Sequence, residues 1–102
     1  MLFELKNYIG IDYDDRDVTL LLHLEASKRY FKNNYGVEEK DFDEDESIKE
    51  LLFERCRYAD ANGLEMFEPN FKSDLLNLAF RMAVNKRARS KDDTEEIATK
   101  IR

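Results

Sequence analysis

The sequence predicts an all-α fold, a small bundle of about four helices followed by a C-terminal tail or helix. Apolar residues recur at spacings of three and four along most of the chain, which is the period of an amphipathic helix. Only 3 Gly and 1 Pro punctuate the 102 residues, and strands joined by tight turns need more. With 42% hydrophobic residues, among them 7 Phe and 5 Tyr, the chain can pack a core even though 39% of its residues are charged. This length suits one core. A helical bundle domain is expected over residues 1–91, with residues 92–102 as a flexible tail or docking helix.

The first helix is read from Leu2, Leu5 and Ile9, which form one apolar stripe, and Gly10 ends it. Asp12, Asp14, Asp15 and Asp17 then crowd the start of a second periodic run. Carboxylates there suit the free N–H groups and the positive end of a helix dipole. The second helix is expected from about residue 14 to residue 35, closed by Asn33-Asn34-Tyr35-Gly36 with Gly36 in the left-handed conformation. At 100° per residue, Val18, Leu22, Ala26 and Tyr30 line one side of it, and Leu20, Leu24, Phe31 and Tyr35 line a nearly opposite side. Such a helix is either buried centrally or gives one face to the core and one to a neighbour. Both arrangements remain open from the sequence.

Residues 37–46 hold seven acidic residues around Lys40 and Phe42 and are read as a loop. Ser47-Ile48-Lys49-Glu50 has the form of a capping box that starts a third helix. Ile48, Leu51, Leu52, Arg55, Cys56 and Ala59 define its inner stripe and place Phe53 on the outer side, with an end near Asn62-Gly63. A connection containing Met66, Phe67 and Pro69 leads to a fourth helix from about residue 70, with Phe71, Leu75, Leu78, Ala79 and Met82 on one face. Five basic residues and no acidic one occupy residues 81–91, after which Asp92, Asp93, Glu95 and Glu96 reverse the sign. Beyond that point only Ile97 and Ile101 are large and apolar, too few to anchor a helix alone, so a mobile tail is expected.

A net charge of −6 argues against a free-standing nucleic-acid binder, whose affinity comes largely from neutralising phosphates. The single cysteine, Cys56, can form neither an internal disulfide nor a cysteine-rich metal site, which fits a reducing cytoplasm. No membrane span or export signal is visible. Cys56 reads as a small buried hydrophobe and His23 as a solvated or hydrogen-bonded side chain. Asp41, Asp43 and Asp45 imitate the opening of a calcium loop, but Glu46 and Leu52 stand where it needs Gly and Glu. The isolated glycines fit no phosphate-binding loop. No catalytic, cofactor-binding or metal-binding residue is therefore expected, and no cofactor. The basic run, including Arg87 and Arg89, suits the negative end of its helix, an acidic protein surface or passing DNA phosphates. Protein binding is the expected role.

The run Leu5-Lys6-Asn7-Tyr8-Ile9-Gly10-Ile11-Asp12-Tyr13-Asp14-Asp15-Arg16-Asp17, followed by Leu20-Leu21 and a close at Tyr35-Gly36, resembles the small head-tail connector (adaptor, or head completion) proteins of long-tailed bacteriophages. The likeness covers roughly the first 36 residues well and continues more loosely through Leu51-Leu52, Arg57-Tyr58-Ala59-Asp60 and Pro69 before Leu75-Leu76. Glu25, Ser27 and the acidic stretch 38–46 depart from the family pattern. The resemblance implies a virion protein, made in the host cytoplasm, that docks as a homo-oligomeric ring under the portal protein. It also implies that the ring extends the DNA channel without binding DNA specifically, and that it receives a stopper or tail-completion protein. Alone, the chain is expected to be monomeric or weakly associated. Candidate partner contacts are Ile97 and Ile101 in the tail, Arg87 and Arg89 in the basic run, and Leu20, Leu24 and Phe31 on the second helix. The alternative is a small acidic helical protein-binding regulatory module.

Overall fold

The computed structural model describes the backbone of residues 1–101 and the side chains of residues 1–87. The described chain is all-α, with helices α1 (Leu2–Ile9), α2 (Asp17–Tyr35), α3 (Asp41–Glu44), α4 (Glu46–Asp60), α5 (Phe67–Asn70) and α6 (Lys72–Ile101), and a single 3-10 turn at Leu64–Met66. The expected small helical bundle is present.

Two helix ends lie where their glycines predict. Gly10 (φ 90°) and Gly36 (φ 69°) are both left-handed, and their N–H groups reach the carbonyls of Lys6 and Lys32 at 2.8 and 3.2 Å. A side chain at such a φ is strained, so glycine closes both helices without steric strain. The start of α2 is different from the expectation. It lies at Asp17, the N-cap position belongs to Arg16, and no side chain caps it. Asp14 and Asp17 turn instead to Lys6 of α1, at 2.7 and 2.9 Å. The Lys6 side chain is largely covered, and a covered ammonium needs counter-charge more than an exposed helix start needs an acceptor that water can supply.

The core forms where α2 packs against α4, with α1 and α6 at its sides. Leu20, Leu24 and Phe31 of α2 meet Ile48, Leu51, Leu52 and Cys56 of α4, joined by Leu5, Leu75, Leu78 and Met82. Fully buried Phe31, Phe42 and Phe67 dominate it. Each such side chain contributes about 1.5–3 kcal/mol by leaving water, whereas an exposed ion pair contributes about 0–1 kcal/mol. The aromatic core therefore outweighs the many surface pairs.

Four local expectations are corrected by that core. Residues 37–46 are not all loop, because burial of Val37 and Phe42 winds Asp41–Glu44 into a helical turn that leaves Asp43 and Glu44 exposed, while Asp41 Oδ2 accepts from the Glu38 amide at 2.8 Å. The cap of α4 is Asp45 and not Ser47. Its Oδ1 accepts from the amides of Ser47 and Ile48 at 3.0 and 3.3 Å and from the Ser47 hydroxyl at 2.6 Å, and a charged acceptor at a helix start outcompetes a neutral one. Phe53 is buried, not outward, because α1 folds over α4 and sets Tyr8 5.5 Å from its ring. Phe67, expected in a connection, sits at the centre of an aromatic cluster with Tyr30, Phe31, Tyr58 and Phe71, all 5.1–6.3 Å away.

Helix α6 begins at Lys72 and runs to Ile101, so the charge reversal at Asp92 coincides with no helix end. Thirty helical residues span about 45 Å, and the longest extent of the molecule is 61 Å. The radius of gyration is accordingly 16.9 Å, against about 13 Å for a compact chain of this length.

Candidate interaction surfaces

The choice left open for α2 is resolved in favour of one face inward and one outward. Leu20, Leu24 and Phe31 are 0, 4 and 0% exposed. On the opposite side Val18 and Leu22 are 73 and 65% exposed, with Leu21 at 45% beside them. Leu20, Leu24 and Phe31 are thus corrected from candidate partner contacts to core. The body lacks the mass to cover both sides of α2, and the side holding Phe31 wins because it carries the larger apolar area. Val18, Leu22 and Ala26 form the face that remains open.

Helix α6 repeats the arrangement. Leu75, Leu78 and Met82 face the core, while Leu76, Phe80 and Val84 are 63, 72 and 46% exposed. Ala79 and Ala83, also exposed, lie between the two sets. Shallow grooves along this helix, lined by Tyr35, Leu76, Ala79, Met82 and Lys86, continue the apolar surface toward the end of α2. Exposed large apolar side chains occurring singly are ordinary, but rows of them at helical spacing mark a contact surface.

Charge is distributed unevenly around these faces. Among the described residues Asp12, Asp15 and Glu25, near the first half of α2, have no ion-pair partner, and neither do Lys86 and Arg87 at the far end of the described part of α6. The acidic stretch is more tied in than its composition suggests. Glu39 takes both Lys28 and Lys32, at 2.7 and 2.6 Å, which holds its carboxyl below the usual range. Asp45 meets Arg81 at 3.3 Å.

The titratable groups inside the fold are engaged by neighbouring side chains. Cys56 is fully buried, and burial raises its thiol to about 11 against a smaller opposing contribution from Ser27. Ser27, also buried, accepts from Arg55 Nη1 at 3.0 Å, and the Arg55 guanidinium lies over the Tyr30 ring at 4.3 Å. Burial lowers the Arg55 pKa. Asp60 joins α4 to the start of α2 through Arg16, and His23 Nε2 stands 3.8 Å from the same carboxylate, beyond hydrogen-bond length. The Tyr8 hydroxyl donates to Glu54 at 2.7 Å, and burial with that contact raises it to about 12. No group of three or more His, Cys, Asp or Glu side chains is placed to hold a metal among the described residues. Nor is any helix among them long and apolar enough to cross a membrane.

Of the other expected contact residues, Arg87 is exposed on α6, and the side chains of Arg89, Ile97 and Ile101 lie outside the described residues. Sequence reading missed Leu76, Phe80 and Val84. Their spacing of four was legible, but it was masked by the stronger Leu75, Leu78 and Met82 stripe of the same helix. Comparison of the chain with protein-family models, with curated proteins and with solved structures found no match.

Proposed function

We propose that the chain is a structural head-tail connector, or adaptor, of a long-tailed bacteriophage, assembling as a ring on the portal, lengthening the DNA channel and offering an attachment surface to a stopper or tail component. The observation that carries the reading is that α2 and α6 each bury one apolar face and leave a second open. A small helical body with two open faces suits an assembly part that meets several neighbours. The resemblance over the first 36 residues supplies the setting, and its landmarks, Gly10, the Ile11 to Asp17 segment and Tyr35-Gly36, all fall at helix junctions. An excess of acidic groups, net −6, favours passage of DNA over its retention, because phosphates are repelled.

The test is reconstitution. Purified chain mixed with portal rings from the same phage should add a ring of density beneath the portal in electron micrographs. Capsids made without the chain should lose packaged DNA and carry no tails. Normal, tailed particles in its absence would overturn the proposal and favour the broader class, a small acidic helical regulatory module.

A further inference from the structure

We infer that the open face of α6 in one copy seats antiparallel on the open face of α2 in a second copy, a head-to-side contact between identical chains. The two faces match in length and spacing. Val18, Leu22 and Ala26 repeat every four residues on α2, and Leu76, Phe80 and Val84 do the same on α6, so each row spans about 12 Å. Laid antiparallel with Leu22 against Phe80, the rows bring Val18 to Val84 and Ala26 to Leu76, so that every exposed apolar side chain of one row meets one of the other. The same antiparallel order puts Asp15, in the turn just ahead of α2, at the same end of the pair as Arg87, three residues after Val84 on α6. Both are exposed, and neither has an ion-pair partner within its own chain among the described residues.

Other pairings leave more unsatisfied. A parallel arrangement of the same rows places Arg29 against Arg87, and like charges at a contact are unfavourable. Pairing α6 with α6 puts the basic end over Lys72 and Ser73 and leaves Arg87 without a counter-charge. Pairing α2 with α2 satisfies Asp15 through Arg29 but leaves Phe80, 72% exposed, and its row in water. Only the mixed contact covers both rows with one interface. Because its two sides differ, the contact repeats from copy to copy and closes into a ring when the rotation allows. One row from each chain covers well under the roughly 1,600 Å² of a standard stable interface, so isolated copies associate weakly.

The biological setting of this contact rests on the proposed function, but its existence can be measured without a portal. Leu22→Cys and Phe80→Cys are made as separate variants, mixed at high concentration and oxidised with copper-phenanthroline. Native Cys56, fully buried, does not compete. The mixture should give a cross-linked dimer at least tenfold above either variant alone, and the double variant should give a ladder. Asp15→Arg should reduce the yield several-fold, and Arg87→Glu in the partner variant should restore it. Dimers formed equally by Leu22→Cys alone, or no cross-link in the mixture, would overturn the contact. Cross-linking retained by a chain that binds no portal would overturn the proposed function and leave this contact standing.

Discussion

At the scale of single residues, Asp45 shows how a side chain in an acidic stretch becomes a structural part. It caps α4, fixes the Ser47 hydroxyl of the same helix and meets Arg81 of α6, so two helices converge on one carboxylate. Asp45→Ala should cost about 1 kcal/mol, the usual value of a lost cap, read as a fall of about 4–8 °C in melting temperature. The hydrogen bond from Ser47, then the α4 amide of Ile48 and the nearby Arg81, hold the carboxyl below its ordinary 3.8. A depressed folded value means that the stabilisation is full above the unfolded value and is lost as pH falls through the folded one. The gap between wild type and Asp45→Ala should therefore be largest near pH 7 and close as the pH drops below about 4. A gap of constant size from pH 7 to pH 3 would show that the carboxylate charge contributes nothing. Cys56 makes a simpler case. Its buried thiol, raised to about 11, should resist a thiol reagent in the native protein and react fully once the chain is unfolded.

At the scale of elements, α2 is the decisive helix, since its orientation assigns every other surface. Leu24→Ala should destabilise the protein by about 2–5 kcal/mol, as buried leucines do. Leu22→Ala should stay within about 0.5 kcal/mol, as exposed positions do. Denaturant unfolding of the two variants measures the contrast, and equal losses would mean that both faces of α2 are covered in the folded chain. The existence of α1, α2, α4 and α6 was legible because each carries a sustained apolar period and most have a stop or start signal. The turn at Asp41–Glu44 and the α5 turn were not, since a lone Phe42 or Phe67 among polar neighbours shows no period. Their helicity follows from burying one ring each, a tertiary cause. Phe53 was misplaced for a related reason. The stripe of α4 predicts the face toward α2, and nothing in α4 itself says that α1 covers a second face.

At the scale of the whole molecule, net charge and shape act together. The basic residues of α6 sit on a chain of net charge −6, and their local field is diluted by the acidic stretch and by the open acidic groups near the start of α2. Duplex DNA at about 0.15 M salt should therefore show no saturable binding in fluorescence anisotropy at a protein concentration of about 1 μM, a level below which even ordinary nonspecific binders stay free. Salt-sensitive binding tighter than that would place the chain among DNA-binding regulators.

The sequence by itself determined the class of fold, the positions of the two glycine-closed helix ends and the existence of more apolar surface on α2 than one core contact needs. Those properties are local, set by spacing and by backbone conformations that only some residues accept. The tertiary structure decided which side of α2 is core, which carboxylate caps α4, and where Phe42, Phe53 and Phe67 belong. It also exposed the second row of α6, with Leu76, Phe80 and Val84. These are outcomes of competition among faces for a limited interior, and a periodic pattern names the competitors without naming the winner.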